Sequence, residues 1–157
     1  MKNIFLNIAI VAFIALVLSC TNSKKTMSAE AVAASGDSTM LYLYLWKLTE
    51  VQGVTVPLSS NAYILLLPDQ KSKVNGNTSC NLMNGNFQLN GTNGIKFTAF
   101  ATTRRACTDN PTMDIEKKFL DALGLTTNWL VKDTQLVLSK ESTIVAKFKG
   151  IKAGRPE

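Results

Sequence analysis

The sequence predicts an all-β domain carrying one α-helix, placed behind an export signal and a polar tether. Three observations lead there. From Met40 onward, short strand-like runs alternate with turns rich in Gly, Asn and Asp. A single segment, Asn110 to Gly124, carries its apolar residues at helical spacing instead. The N-terminal apolar run stops at a cysteine, Cys20, and polar residues follow at once.

That N-terminus is read first because it sets the compartment. Met1-Lys2-Asn3 supplies a cationic start, and Ile4 to Leu18 is apolar apart from Asn7. A membrane-spanning helix needs about 20 apolar residues, and this run is shorter. A charged start, a short apolar middle and a small residue, Ser19, are the layout of a secretory signal. Its end, Ala15-Leu16-Val17-Leu18-Ser19-Cys20, resembles the lipobox of bacterial lipoproteins. In that motif the cysteine thiol receives a diacylglycerol and becomes the new N-terminus. Val17 stands where leucine is commoner. The competing reading is a plain signal peptide, or an uncleaved anchor, with an incidental cysteine. Residues 1–19 are thus expected to be a lipoprotein signal peptide and Cys20 the lipidation site. Residues 20–39 are small and polar, the composition of a flexible tether. Thr21 follows the cysteine, so the aspartate that retains some lipoproteins in the inner membrane is absent. The expected location is the outer membrane of the cell envelope, facing the periplasm.

Composition narrows the function. The formal charge is +6 and falls by one when Lys2 leaves with the signal. The lysines are scattered from Lys71 to Lys152 without a cluster, so nucleic acid is not an expected partner. A solvated basic surface that mildly favours anionic headgroups accounts for them. The chain has no histidine. Catalytic triads, HExxH helices and His-ligated zinc sites are therefore excluded. No enzyme activity, cofactor or metal is expected.

Residues 40–150 form the expected domain, and 151–157 a C-terminal tail. "MLYLYLWKLTEV" from Met40 alternates Leu41, Leu43 and Leu45 against Tyr42, Tyr44 and Trp46, so both faces of the predicted strand are apolar. Its aromatic face either packs in the core or lines a cleft. Ala62 to Leu67 reads as a continuous buried strand stopped by Pro68. "NFQL" and "IKFTAF" form a hairpin across Asn90 to Gly94, where Asn and Gly tolerate positive φ. "NWLV", "QLVLS" and "TIVAKFKG" are three more strands, with turns at Lys132–Thr134 and Lys140–Ser142. Between them lies the helix. Asn110 is its expected N-cap, Pro111 its first residue and Gly124 its stop, with Asp114 and Glu116 near the positive end of the dipole. Ile115, Phe119, Leu120 and Leu123 share one face, which is expected to lie across the sheet.

Export raises the question of a disulfide between the remaining cysteines, Cys80 and Cys107. With Cys20 consumed by lipid, they pair without a leftover thiol; two buried free thiols is the other reading. A bond between them closes a loop of 27 positions, worth roughly 3–4 kcal/mol by chain entropy. The spacing does not suit a CxxC redox motif or a zinc knuckle.

Several motifs in order then resemble a known family. Trp46-Lys47-Leu48 with Gly53, Ser79-Cys80-Asn81 followed by Gly85-Asn86-Phe87, and Thr103-Arg104-Arg105-Ala106-Cys107 ahead of the helix are similar to the META domain of HslJ-like proteins. The family pattern has glycine at position 79, tyrosine at 87 and methionine at 105, and this chain departs at all three. The resemblance implies a small antiparallel lipocalin-like β-barrel with one helix, with its two cysteines bonded. It implies links to envelope stress and antibiotic tolerance, and in some members to motility or secretion, with no catalytic residues to transfer. The leading expectation is a non-catalytic, membrane-anchored module supporting envelope integrity. The alternatives are a barrel that carries or senses a lipid or other apolar small molecule, and a docking accessory for an envelope protein or secretion complex. Arg104, Arg105, Tyr42, Tyr44 and Trp46 are the candidate binding surface.

Overall fold

A computed structural model describes residues 37–70, 72–107 and 109–152. The expected signal peptide, Cys20 and nearly all of the tether lie outside these residues, as do the last five positions of the tail. The described chain is mostly antiparallel sheet with one main helix. Its elements are α1 (Thr39–Tyr42), β1 (Tyr44–Val51), β2 (Val54–Thr55), β3 (Tyr63–Leu67), β4 (Lys73–Asn77), β5 (Leu82–Asn90), β6 (Gly94–Thr102), α2 (Asn110–Leu125), β7 (Asn128–Lys132), β8 (Gln135–Lys140) and β9 (Thr143–Lys152).

The strands follow the order β2-β1-β3-β4-β5-β6-β7-β8-β9, and β1 pairs with β9 as well, so the sheet closes into a ring. Most ladders are long. The β6–β7 seam is thin, with one register pair, Gly94↔Asn128. Backbone bonds from Ile95 N–H to the Thr127 carbonyl (3.0 Å) and from Trp129 N–H to the Asn93 carbonyl (2.8 Å) reinforce it.

Alternation places one side chain in two inside the ring. Tyr44, Trp46 and Leu48 point inward from β1, Ile64 and Leu66 from β3, Phe87 from β5, and Leu136 and Leu138 from β8. A bulge between Leu48 and Glu50 shifts the register by one residue and brings Val51 inward again. Helix α2 adds Ile115, Phe119, Ala122 and Leu123 to the same core, with the Phe119 and Phe148 rings 5.8 Å apart. Among the described residues the core runs from Leu41 to Phe148. Among the described residues, no helix is long and apolar enough to cross a membrane.

The strand expected from Met40 starts later. Residues 39–42 form the short helix α1, which tucks Leu41 into the core and aims its carbonyl at the Trp46 indole N–H, 2.9 Å away. Leu43 is left exposed and Leu45 half-buried, so the aromatic face of β1 is its core face. Ala62 to Leu67 is not buried throughout. Tyr63, Leu65 and Leu67 are half-buried because an antiparallel strand keeps one face toward solvent. Strands β2 and β4 escaped the sequence reading, since "KVNGN" offers only Val74 as an apolar inward residue.

The helix ends also differ from expectation. Asp109, in an extended conformation, is the N-cap and accepts the Thr112 N–H at 2.8 Å; Pro111 follows one position later than predicted. Gly124 does not stop the helix, which runs to Leu125 and is capped by Thr126, whose hydroxyl donates to the Ala122 carbonyl at 2.8 Å. The hairpin turns stand where expected, with Gly91, Asp133 and Glu141 at positive φ.

Two glycines give opposite expectations. A Cβ on Gly76 would collide with the Tyr63 backbone carbonyl and lie 3.1 Å from the Met83 methyl. Gly76→Ala is expected to destabilise the domain by about 3 kcal/mol in urea unfolding. Gly124 has open space around its Cβ position, and Gly124→Ala is expected to stabilise it by about 1 kcal/mol. Reversal of either sign contradicts the packing described here.

Candidate functional site

The motifs that carry the resemblance converge on one corner. Residues 78–81 join β4 to β5, residues 103–109 join β6 to α2, and Glu116 lies within α2. The Cys80–Cys107 disulfide bridges the first two segments, with Cα atoms 5.7 Å apart. Asn81, 4% exposed, connects all three.

Each polar atom of Asn81 is used. Its side-chain Nδ2 donates to Glu116 Oε1 at 3.0 Å and to Oε2 at 3.1 Å, and its backbone N–H donates to Oε2 at 3.2 Å. Its Oδ1 accepts the Thr103 hydroxyl and the Arg105 backbone N–H, both at 2.8 Å. Its carbonyl accepts the Thr78 backbone N–H at 2.8 Å. The fully buried Thr78 hydroxyl lies 2.9 Å from Glu116 Oε2 and 3.0 Å from the Asn81 carbonyl. Thr103 Oγ1 in turn accepts the Leu82 N–H at 3.1 Å. Buried polar groups need such partners because desolvation without them costs about 1–3 kcal/mol each. Here the need is met, and no buried side-chain N or O among the described residues lacks a partner.

This completeness limits the chemistry. Glu116, the carboxylate at the centre, accepts from Thr78 and Asn81, chiefly through Oε2. Cys80, Cys107 and Glu116 offer ligand atoms within 4.8 Å of one another. The sulfurs are bonded to each other, so neither is a thiolate, and the set does not fit a metal. Arg104 and Arg105 are exposed in the loop beside the disulfide. A polar cleft of about 380 Å³ flanks the corner, lined in part by Ser59, Ser60, Asn61, Ser79 and Thr112.

The candidate aromatics lie elsewhere. Trp46 is fully buried and Tyr44 nearly so, with their rings 5.1 Å apart. Tyr42 is half-buried, 6.3 Å from the Phe87 ring, and burial raises its hydroxyl pKa above the ordinary tyrosine value. The arginines and the cysteines therefore share a corner, while the three aromatics belong to the core and its margin. Glu116 was missed as a site residue. Its place early in an amphipathic helix suggested only a dipole contact, and nothing local pointed to Asn81, 35 positions away.

Ser79 occupies the position where the family pattern has glycine, and its φ is +95°. That region disfavours a Cβ by about 1–3 kcal/mol. Among the described residues its hydroxyl meets Ser60 Oγ, at 3.1 Å, and Ser60 keeps a second bond from the Ala62 N–H. Ser79→Gly is expected to stabilise the domain by about 1 kcal/mol in thermal unfolding. Asn81→Ala, which strips donors from Glu116 and the acceptor from Arg105 N–H, is expected to cost about 3 kcal/mol. A loss near zero would mean that the network does not hold the corner.

The comparisons with known proteins agree with this architecture. An NMR structure shares 18% identity and covers 76% of this chain and 99% of its own, with a TM-score of 0.60. A second NMR structure, from Burkholderia xenovorans, shares 21%, covers 75% of this chain and 87% of its own, and has a TM-score of 0.55. The crystal structure of a DUF4847 family protein from Bacteroides vulgatus, 11% identical, covers 75% and 99% with a TM-score of 0.56. Such likeness speaks for the fold alone. Two of these chains align over 99% of their own length. No protein of curated function matches the sequence. The family model of the META domain matches residues 40–152, and the chain belongs to the META domain family.

Proposed function

We propose that this protein is an envelope lipoprotein, anchored to the outer membrane through Cys20, whose META domain acts without catalysis as a binding or structural module for envelope integrity under stress. The closed strand ring is read here as a small lipocalin-like β-barrel. One observation carries the non-catalytic reading: in a chain without histidine, the central carboxylate of the conspicuous polar cluster is engaged in holding three segments together. A general base must reach the proton it abstracts, and both Glu116 oxygens already accept hydrogen bonds inside the corner, from Thr78 and Asn81. The anchor reading rests on the apolar run and Ser19-Cys20.

A docking role for the Arg104–Arg105 corner is the second reading. The Arg105 backbone is fixed by Asn81 while both arginine side chains face solvent, which gives a positioned, dication-bearing surface. The carrier reading has less support, because Trp46, Leu48, Phe87, Phe119 and Phe148 fill the interior that a ligand would occupy.

Metabolic labelling with palmitate tests the anchor. The native chain is expected to take up label and to lose it in the Cys20→Ala variant; label retained in the variant would refute lipidation there. Native mass spectrometry of the protein purified gently from its own envelope tests the module. An unliganded mass is expected, whereas a co-purifying apolar compound released on denaturation would restore the carrier.

A further inference from the structure

The outer face of β1 and β9 bears a like-charge pair without a carboxylate partner among the described residues. Register sets Lys47 directly opposite Lys149. Opposed side chains in an antiparallel ladder lie about 5 Å apart at Cβ, and like charges so placed destabilise the sheet. The nearest acid along β1, Glu50, is already engaged by Lys147 at 2.9 Å. Among the described residues, neither Lys47 nor Lys149 has a carboxylate in ion-pair range.

Beside this pair runs a groove of about 410 Å³ lined by Val56, Pro57, Leu58, Ile151 and the two lysines, with no carboxylate in its wall. Leu58 is 88% exposed and Ile151 is 46% exposed. The loop that presents Leu58 is fixed by hydrogen bonds. Lys47 Nζ donates to the Leu58 carbonyl at 2.8 Å, Val56 N–H to the Thr49 carbonyl at 2.9 Å, and Ser60 N–H to the Pro57 carbonyl at 2.9 Å. The backbone is held while the leucine side chain stands in water.

We propose that this face docks onto an anionic phospholipid bilayer, with Leu58 and Ile151 entering the headgroup boundary and Lys47 and Lys149 meeting lipid phosphates. The charge complementarity is direct, since phosphates between the two ammonium groups turn their repulsion into attraction. Combining one apolar insertion with a basic patch is how weak membrane contacts become stable ones. Leu58 protrudes from the surface instead of lining an enclosure, which suits a fluid leaflet better than a single captured molecule. The contact belongs to the domain itself and does not depend on Cys20.

Residues 37–157 can be tested by flotation with phosphatidylcholine vesicles containing or lacking phosphatidylglycerol, at low and high salt. Binding is expected to the anionic vesicles and to weaken with salt. Each lysine is worth about fivefold in partition, so Lys47→Gln with Lys149→Gln should lower binding about twenty-five-fold. Leu58→Asp should lower it about tenfold through lost insertion, and circular dichroism melts of each variant check that the fold is retained. Binding that ignores all three substitutions overturns the proposal, as does equal binding to neutral vesicles. Two further outcomes would also overturn it: a self-association in ultracentrifugation that Leu58→Asp abolishes while vesicles stay unbound, and binding of monomeric lysophosphatidylglycerol without vesicle binding.

Discussion

The Glu116–Asn81 pair ties helix α2, which no strand ladder reaches, to the loops at the ends of β4 and β6. Asn81 sits between β4 and β5, Glu116 in α2, and the Arg105 backbone in the loop that leads into α2. The asparagine is suited to the task because its side chain donates and accepts at once. It gives its amide to the carboxylate and its carbonyl oxygen to the loop. Aspartate at position 81 would repel Glu116, and a shorter side chain would reach neither partner. The disulfide between Cys80 and Cys107 runs alongside and shortens the unfolded chain's freedom over the same span. A hydrogen-bond knot and a covalent bridge thus define one corner twice.

That corner matters because the sheet is weakest next to it in sequence. Strand β6 meets β7 through a single register pair, and α2 lies between these two strands in the chain. The helix packs its Phe119 against Phe148 of β9 and buries Ile115, Ala122 and Leu123 with it. Fixing the first turns of α2 to residues 78–81 therefore sets how the helix packs on the core of the ring. The backbone strain at Ser79, with φ of +95°, is tolerated in the same place because the surrounding bonds over-determine the turn.

The surface follows a different logic from the corner. Inside, each buried side-chain N or O among the described residues finds a partner; outside, Lys47 and Lys149 oppose each other beside an exposed leucine. The opposed lysines destabilise the sheet on their own, and the proposed contact with lipid phosphates offsets this. The arginine corner and the lysine face are separate candidates for contact, one polar and disulfide-braced, the other apolar and basic.

The amino-acid sequence by itself determined the fold class, the hairpin turns and the helix, because period-two alternation, Asn-Gly turns and a 3.6-residue apolar stripe are local patterns. It also yielded the family through Trp46, Cys80-Asn81 and Thr103–Cys107. It misjudged Met40–Leu43, since only tertiary burial of Leu41 and the Trp46 indole bond explain a helical turn in a stretch with strand-like alternation. It missed β4, whose "KVNGN" carries too few apolar residues to signal a strand until β3 and β5 flank it. Glu116 and the Lys47–Lys149 pair were decided by tertiary structure alone. Their meaning depends on partners 35 and about a hundred positions away, and no local pattern encodes which distant residue a side chain will face.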